Sequence, residues 1–116
     1  MSRHLTHDWR GVSGKTYRYY IHPRHPSIKE GQLGNYVYAK IDSEGNWVPI
    51  YIGQGELSIR AHEEQQQIGC INSKGATYIH LHVNVEETDR LAEQEDLLTN
   101  HAQAYFPNGC NTKMRR

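Results

Sequence analysis

The sequence predicts a small α/β (α+β) domain: an antiparallel three-stranded sheet flanked by helices, in the order β-β-α-β-α, with an N-terminal extension. Three observations carry this. Residues 35–41 alternate aromatic and β-branched with smaller side chains, and residues 47–52 do so again after the turn chemistry of Asp42-Ser43-Glu44-Gly45-Asn46, which reads as a hairpin. Residues 76–85 alternate in the same way. Residues 56–67 and the stretch opened by Thr88 have helix-forming composition.

In chain order, residues 1–14 read as irregular. Residues 17–21 read as a short strand closed by Pro23 and Pro26, which remove backbone donors. A turn-rich linker with Gly31 and Gly34 leads into the hairpin. Pro49 in its second strand suits a sheet edge or a bulge. Gly53 and Gly55 break that strand, and Gly69 is expected to end the helix that follows. The last helix places Leu91, Ala92, Leu97, Leu98 and Ala102 on its apolar side. The chain divides into an extension at 1–33 and a domain at 34–116.

The chain has 116 residues, enough for one domain of ordinary size. No apolar run spans a bilayer and no signal-peptide core is present, so a cytoplasmic protein is expected, with no membrane partner. Cys70 and Cys110 sit in no zinc-type spacing and read as reduced thiols. Thirteen basic and thirteen acidic residues cancel, but they segregate. Residues 1–29 carry Arg3, Arg10, Lys15, Arg18, Arg24 and Lys29 against Asp8. Residues 86–96 carry Glu86, Glu87, Asp89, Glu93, Glu95 and Asp96 against Arg90. A basic arm suits a nucleic-acid backbone, and solvated surfaces explain the same segregation.

The chemistry concentrates in the hairpin. Antiparallel pairing brings Tyr38 and Tyr51 together, and Arg60 follows Gly53 on the first helix. A phenol can position a water or, as phenolate, deprotonate it; an arginine grips a phosphate with two parallel hydrogen bonds. Alone, either tyrosine is an ordinary strand aromatic. Together, Tyr36-Val37-Tyr38, Tyr51-Ile52-Gly53 and Arg60 resemble the GIY-YIG nuclease family, with Tyr36-Val37-Tyr38 in place of the usual Gly-Ile-Tyr. The resemblance covers roughly residues 34–112.

The resemblance implies a metal-dependent endonuclease that hydrolyses DNA phosphodiester bonds with one Mg2+ or Mn2+ ion. Tyr38, Tyr51 and Arg60 would be catalytic, and a single glutamate on the last helix would hold the metal. Glu93 and Glu95 both qualify. They point about 200° apart, so they cannot share a site. The spacing from Glu95 to the Pro107-Asn108-Gly109-Cys110-Asn111 ending matches the resemblance and favours Glu95. Gly53 and Asn111 would be structural or substrate-binding, Asn111 tying the C-terminal loop to the active-site face. His62 is a candidate proton shuttle two residues past Arg60. His80 and His82 share a strand face, but no third ligand follows for zinc. The competing expectation is an inactive nucleic-acid-binding or protein-interaction module on the same fold. A homodimer joined through residues 1–33 is a further possibility.

Overall fold

The computed structural model describes residues 5–60 and 67–112, and of Arg60 the backbone alone. It contains β1 (Thr6–Arg10), β2 (Thr16–Pro23), β3 (Leu33–Ile41), β4 (Trp47–Glu56), α1 (Leu57–Arg60), α2 (Ile68–Ser73), β5 (Tyr78–Val83) and α3 (Glu87–Asn100), then a 3-10 turn at Ala102–Ala104. The strands form one five-stranded antiparallel sheet in the order β1-β2-β5-β3-β4. This corrects the expected three-stranded sheet of order β-β-α-β-α: the described residues form mostly a curled five-stranded sheet with three helices.

The difference lies in the N-terminal segment. Residues read as irregular form β1, which pairs with β2 from Thr6↔Tyr20 to Arg10↔Thr16, and β2 continues onto β5. Side chains alternate across a strand, so His7, Trp9, Tyr17 and Tyr19 face one side. Trp9 and Tyr19 are buried there with Val37, Ala39, Ile52 and Leu97. The opposite face holds Tyr36, Tyr38, Ile50, Leu57, Ile71, Ile79 and Leu81 under α1 and α2. Two cores therefore sandwich the sheet, one beneath α3 and one beneath α1 and α2.

Pro49 explains an irregularity in the hairpin. Tyr38 pairs with Tyr51 and Ala39 with Pro49, so Ile50 is the extra residue of a bulge. Proline cannot donate to the ladder, and β4 is an edge strand where that loss is tolerated. The first helix also differs from expectation. Leu57–Arg60 is helical, His62 lies outside the described residues, and a separate helix at Ile68–Ser73 runs through Gly69 rather than ending at it.

Gly53 is required by packing. A Cβ at this position would run into the hydroxyl end of the Tyr36 ring. That ring is buried, stacked on Tyr51 at 6.0 Å and edge-on to Tyr38 at 5.8 Å, so it has nowhere to move. Overpacking a fixed core costs about 1–3 kcal/mol. Gly53→Ala should lower the unfolding free energy in urea by about that amount, and by less in a Tyr36→Leu background that lacks the ring. Equal losses in both backgrounds would mean that the Tyr36 ring is not the obstruction.

Candidate active site

The exposed edge of β4 is closed by the C-terminal loop. Cys110 N–H donates to Ile50 O at 2.8 Å. The Asn111 side chain then acts as a strand would: its Oδ1 accepts from Ile52 N–H at 2.8 Å and its Nδ2 donates to Ile52 O at 2.9 Å. The loop is held in turn by Asn111 N–H to Ala104 O, by Phe106 N–H to Asn111 O, and by the Lys74 ammonium on Pro107 O. A disulfide joins Cys70 on α2 to Cys110. This corrects the reading of two reduced thiols. The partners are 40 residues apart, and only the folding of α2 against this loop makes them neighbours. The expectation of a reducing compartment loses that ground. Among the described residues no helix is long and apolar enough to cross a membrane.

Between this loop, β4 and α3 opens a cleft of about 610 Å³, lined by Tyr51, Leu91, Gln94, Glu95, Leu98, Tyr105, Asn111 and Thr112. It unites three residues singled out in the sequence: Tyr51, Glu95 and Asn111. Gln94 Nε2 reaches Ile52 O at 3.4 Å, so α3 also leans on the strand that carries Tyr51 and Gly53.

Tyr38 is placed differently. It is fully buried and does not line the cleft. The Arg24 guanidinium lies 5.1 Å from its ring centroid, a cation–π arrangement. Arg24 is fixed there by Ala76 O and Asn72 Oδ1, both at 2.9 Å. Sequence reasoning assigned Arg24 only to a basic arm, because nothing local signals a contact between β2's end and β3. The Arg60 side chain and His62 lie outside the described residues.

The two glutamates have different surroundings. Glu95 is exposed at the cleft, and its carboxylate makes no hydrogen bond or ion pair to a described residue. Glu93 is 3% exposed. Its Oε2 accepts the Tyr19 hydroxyl at 2.5 Å and contacts His82 Nδ1 at 2.8 Å. One turn on, Asp96 accepts Ser13 N–H at 2.9 Å, Ser13 Oγ at 2.7 Å and the Tyr17 hydroxyl at 2.7 Å. The Ser13 hydroxyl bond is the main reason the Asp96 carboxyl titrates below its usual range. Burial, then the bond to Asp96, pushes the Tyr17 phenol up to about 12. Glu93 and Asp96 are thus fasteners between the β1–β2 hairpin and α3. The sequence signal for them was Tyr17 and Tyr19, two hydroxyls alternating on one strand face.

A magnesium-like cation needs one or two carboxylates and completes its shell with water and phosphate. The exposed Glu95 carboxylate, bonded to none of the described residues, fits that demand at the mouth of a cleft of mixed polar and apolar lining, and the twice-bonded Glu93 does not. Among the described residues no three His, Cys, Asp or Glu side chains gather as a metal cluster. His80 and His82 do share a face, but each is taken by its surroundings. His80 accepts Trp9 Nε1–H at 3.0 Å and sits 4.4 Å from the Trp47 ring. Burial above all, then His7 and His22, lowers its pKa to about 3, so it stays neutral.

Comparison with known proteins adds no relative: no family model, curated protein or solved structure matches the chain.

The Tyr19–Glu93 bond carries a pH signature. Burial first, and the Glu93 charge second, raises the Tyr19 phenol well above its ordinary value. The fold holds the neutral form, so this stability is intact below about pH 10 and is lost as pH rises further, where the unfolded chain releases the proton. The melting temperature should therefore fall above pH 10. Tyr19→Phe should melt lower at neutral pH and decline less steeply in alkali. An alkaline slope unchanged by Tyr19→Phe would assign the effect to another group.

Proposed function

We propose that this chain is a metal-dependent endonuclease of the GIY-YIG type, hydrolysing DNA phosphodiester bonds in the cleft between β4, α3 and the C-terminal loop. The observation that carries this reading is the Glu95 carboxylate, bonded to none of the described residues, in the same cleft as Tyr51 and beside a loop pinned by Asn111. A carboxylate, a phenol and a nearby arginine in sequence are the parts that phosphodiester hydrolysis needs.

In this reading a water attacks the scissile phosphorus in line, a new P–O bond forms, and the opposite P–O bond breaks. Tyr51, half-buried and stacked on Tyr36, orients that water and takes its proton. Tyr38 acts from beneath, fixing the β3 side of the tyrosine cluster under Arg24. Arg60, at the end of α1, neutralises charge on the phosphorane; losing one such donor typically costs about 2.7–4 kcal/mol. Glu95 is the residue that would hold one Mg2+ or Mn2+ ion, which when bound stabilises the leaving oxygen. Asn111 keeps the cleft wall in register with Tyr51 and Gly53 through Ile52. His62 remains a proton-shuttle candidate on sequence grounds alone.

A second reading is supported by two features. Tyr38 is sealed in the core, and none of the described residues lining the cleft is Lys or Arg, as suits an inactive module on this fold.

Nicking of supercoiled plasmid separates the two. Magnesium-dependent nicking is expected, abolished by Glu95→Gln. Glu93→Gln should melt at lower temperature yet nick when folded, because Glu93 is a fastener. Absent nicking at any metal concentration supports the inactive module, and full activity in Glu95→Gln removes the carboxylate from the mechanism.

Arginine is needed for its fork as well as its charge. Arg60→Lys should therefore lose nearly as much nicking as Arg60→Ala. A lysine variant that retains most of the activity would reduce Arg60 to a point charge.

A further inference from the structure

The β1–β2 hairpin buries one face against α3, and among the described residues its other face is largely exposed. On that face Arg18 and Asp8 are 66% and 46% exposed, and Tyr20 is 46% exposed. By register, Tyr20 stands beside Leu81 and then Tyr36, and His22 beside Ile79, Tyr38 and Tyr51. Beyond β2 the same face is covered, with Leu81, Ile79, Tyr36 and Tyr38 buried under α1 and α2, so the exposed part is the β1–β2 hairpin itself.

We infer that this hairpin face, on the side of the sheet away from α3, is a docking platform for a single-stranded nucleic-acid segment, with Tyr20 stacking on a base and Arg18 contacting a phosphate. The inference rests on the proposed nuclease reading and extends it to the form of the substrate. Three features select this occupant. First, Arg10, Arg18, Tyr20 and His22 project on one face, and Arg24 follows at the next alternate position, so a flat aromatic ring sits among cations. That pairing of stacking and charge is how sequence-tolerant strand binders work. Second, β1 and β2 carry one acid, Asp8, and it is paired with Arg18 at 3.1 Å on the surface. Exposed pairs of this kind are worth little, so a phosphate can displace the carboxylate from Arg18. Third, a duplex hides the faces of its bases, whereas a single strand offers them to Tyr20.

The contribution of this face is best tested by point substitution. β1 supplies the buried Trp9, so deleting the N-terminal arm would damage the fold. Binding of a short fluorescein-labelled single strand, and of the matching duplex, is followed by anisotropy in EDTA for the full chain. Tyr20→Ala should weaken single-strand binding by roughly fivefold to a hundredfold, with little change for the duplex. Tyr20→Phe should restore it, since the ring is what stacks. Arg18→Gln should weaken binding and reduce the salt slope by about 0.7. Asp8→Asn breaks the same ion pair but releases Arg18, so it should tighten binding. A merely structural ion pair would instead make Arg18→Gln and Asp8→Asn behave alike. Unchanged affinity in Tyr20→Ala and Arg18→Gln, or weakened binding in Asp8→Asn, overturns the platform. Because these measurements need no cleavage, a nuclease whose nicking depends on Glu95 but whose binding ignores Tyr20 and Arg18 would refute this inference alone. The converse pattern would refute the nuclease reading alone.

Discussion

The arrangement of this protein depends on one buried carboxylate. Removing a carboxylate from water costs several kcal/mol unless its lone pairs are satisfied. Glu93 meets that cost with a hydroxyl from β2 and an imidazole from β5, so three separate elements converge on a single oxygen. Once Glu93 points inward, the rotation of α3 about its axis is fixed. Leu97, one turn later, also faces the sheet, and Arg90 is drawn under Gln54 and the carbonyls of Asn84 and Val85. Glu95, about 200° around the helix from Glu93, is left at the cleft with Tyr51. A polar residue, rather than an apolar stripe, sets the phase of this helix and so decides which glutamate is available for chemistry.

That explains what could and could not be read from the chain alone. The hairpin at residues 35–52 was legible because aromatic alternation and turn residues agree with one another, and Pro49 foretold a bulged edge. The helix after Thr88 was legible as a helix, but its buried side was not. An apolar reading chose Leu91, which is largely exposed, over Arg90 and Glu93, which are buried through hydrogen bonds to distant strands. The β1 strand was hidden for a related reason. Its inward residues are His7 and Trp9 among polar neighbours, and Trp9 is accommodated only because His80 accepts its indole proton. The disulfide and the Arg24–Tyr38 contact join segments with no shared local pattern, so only the assembled sheet reveals them.

The candidate site shows the same division of labour. Residue identity and spacing pointed to Tyr51, Glu95 and Asn111, and their common cleft follows from the edge position of β4. The depth of each tyrosine did not follow from spacing. Tyr38 and Tyr51 are register partners, yet one is sealed beneath Arg24 and the other reaches the cleft, because β3 is paired on both sides whereas β4 is an edge strand that borders the C-terminal loop.

The Asn111 amide has a consequence for how the molecule meets its own kind. A sheet edge with free N–H and C=O groups is a template for adding another strand. The Ile50 carbonyl is already taken by Cys110, and both the N–H and the C=O of Ile52 by the side chain of Asn111. The sheet is therefore polar in its capacity to grow: the β4 side is blunted by its own C-terminal loop, while β1 ends the sheet on the other side. Strand-by-strand association between copies would have a direction built into it, and the residues that close the cleft are the same ones that impose it.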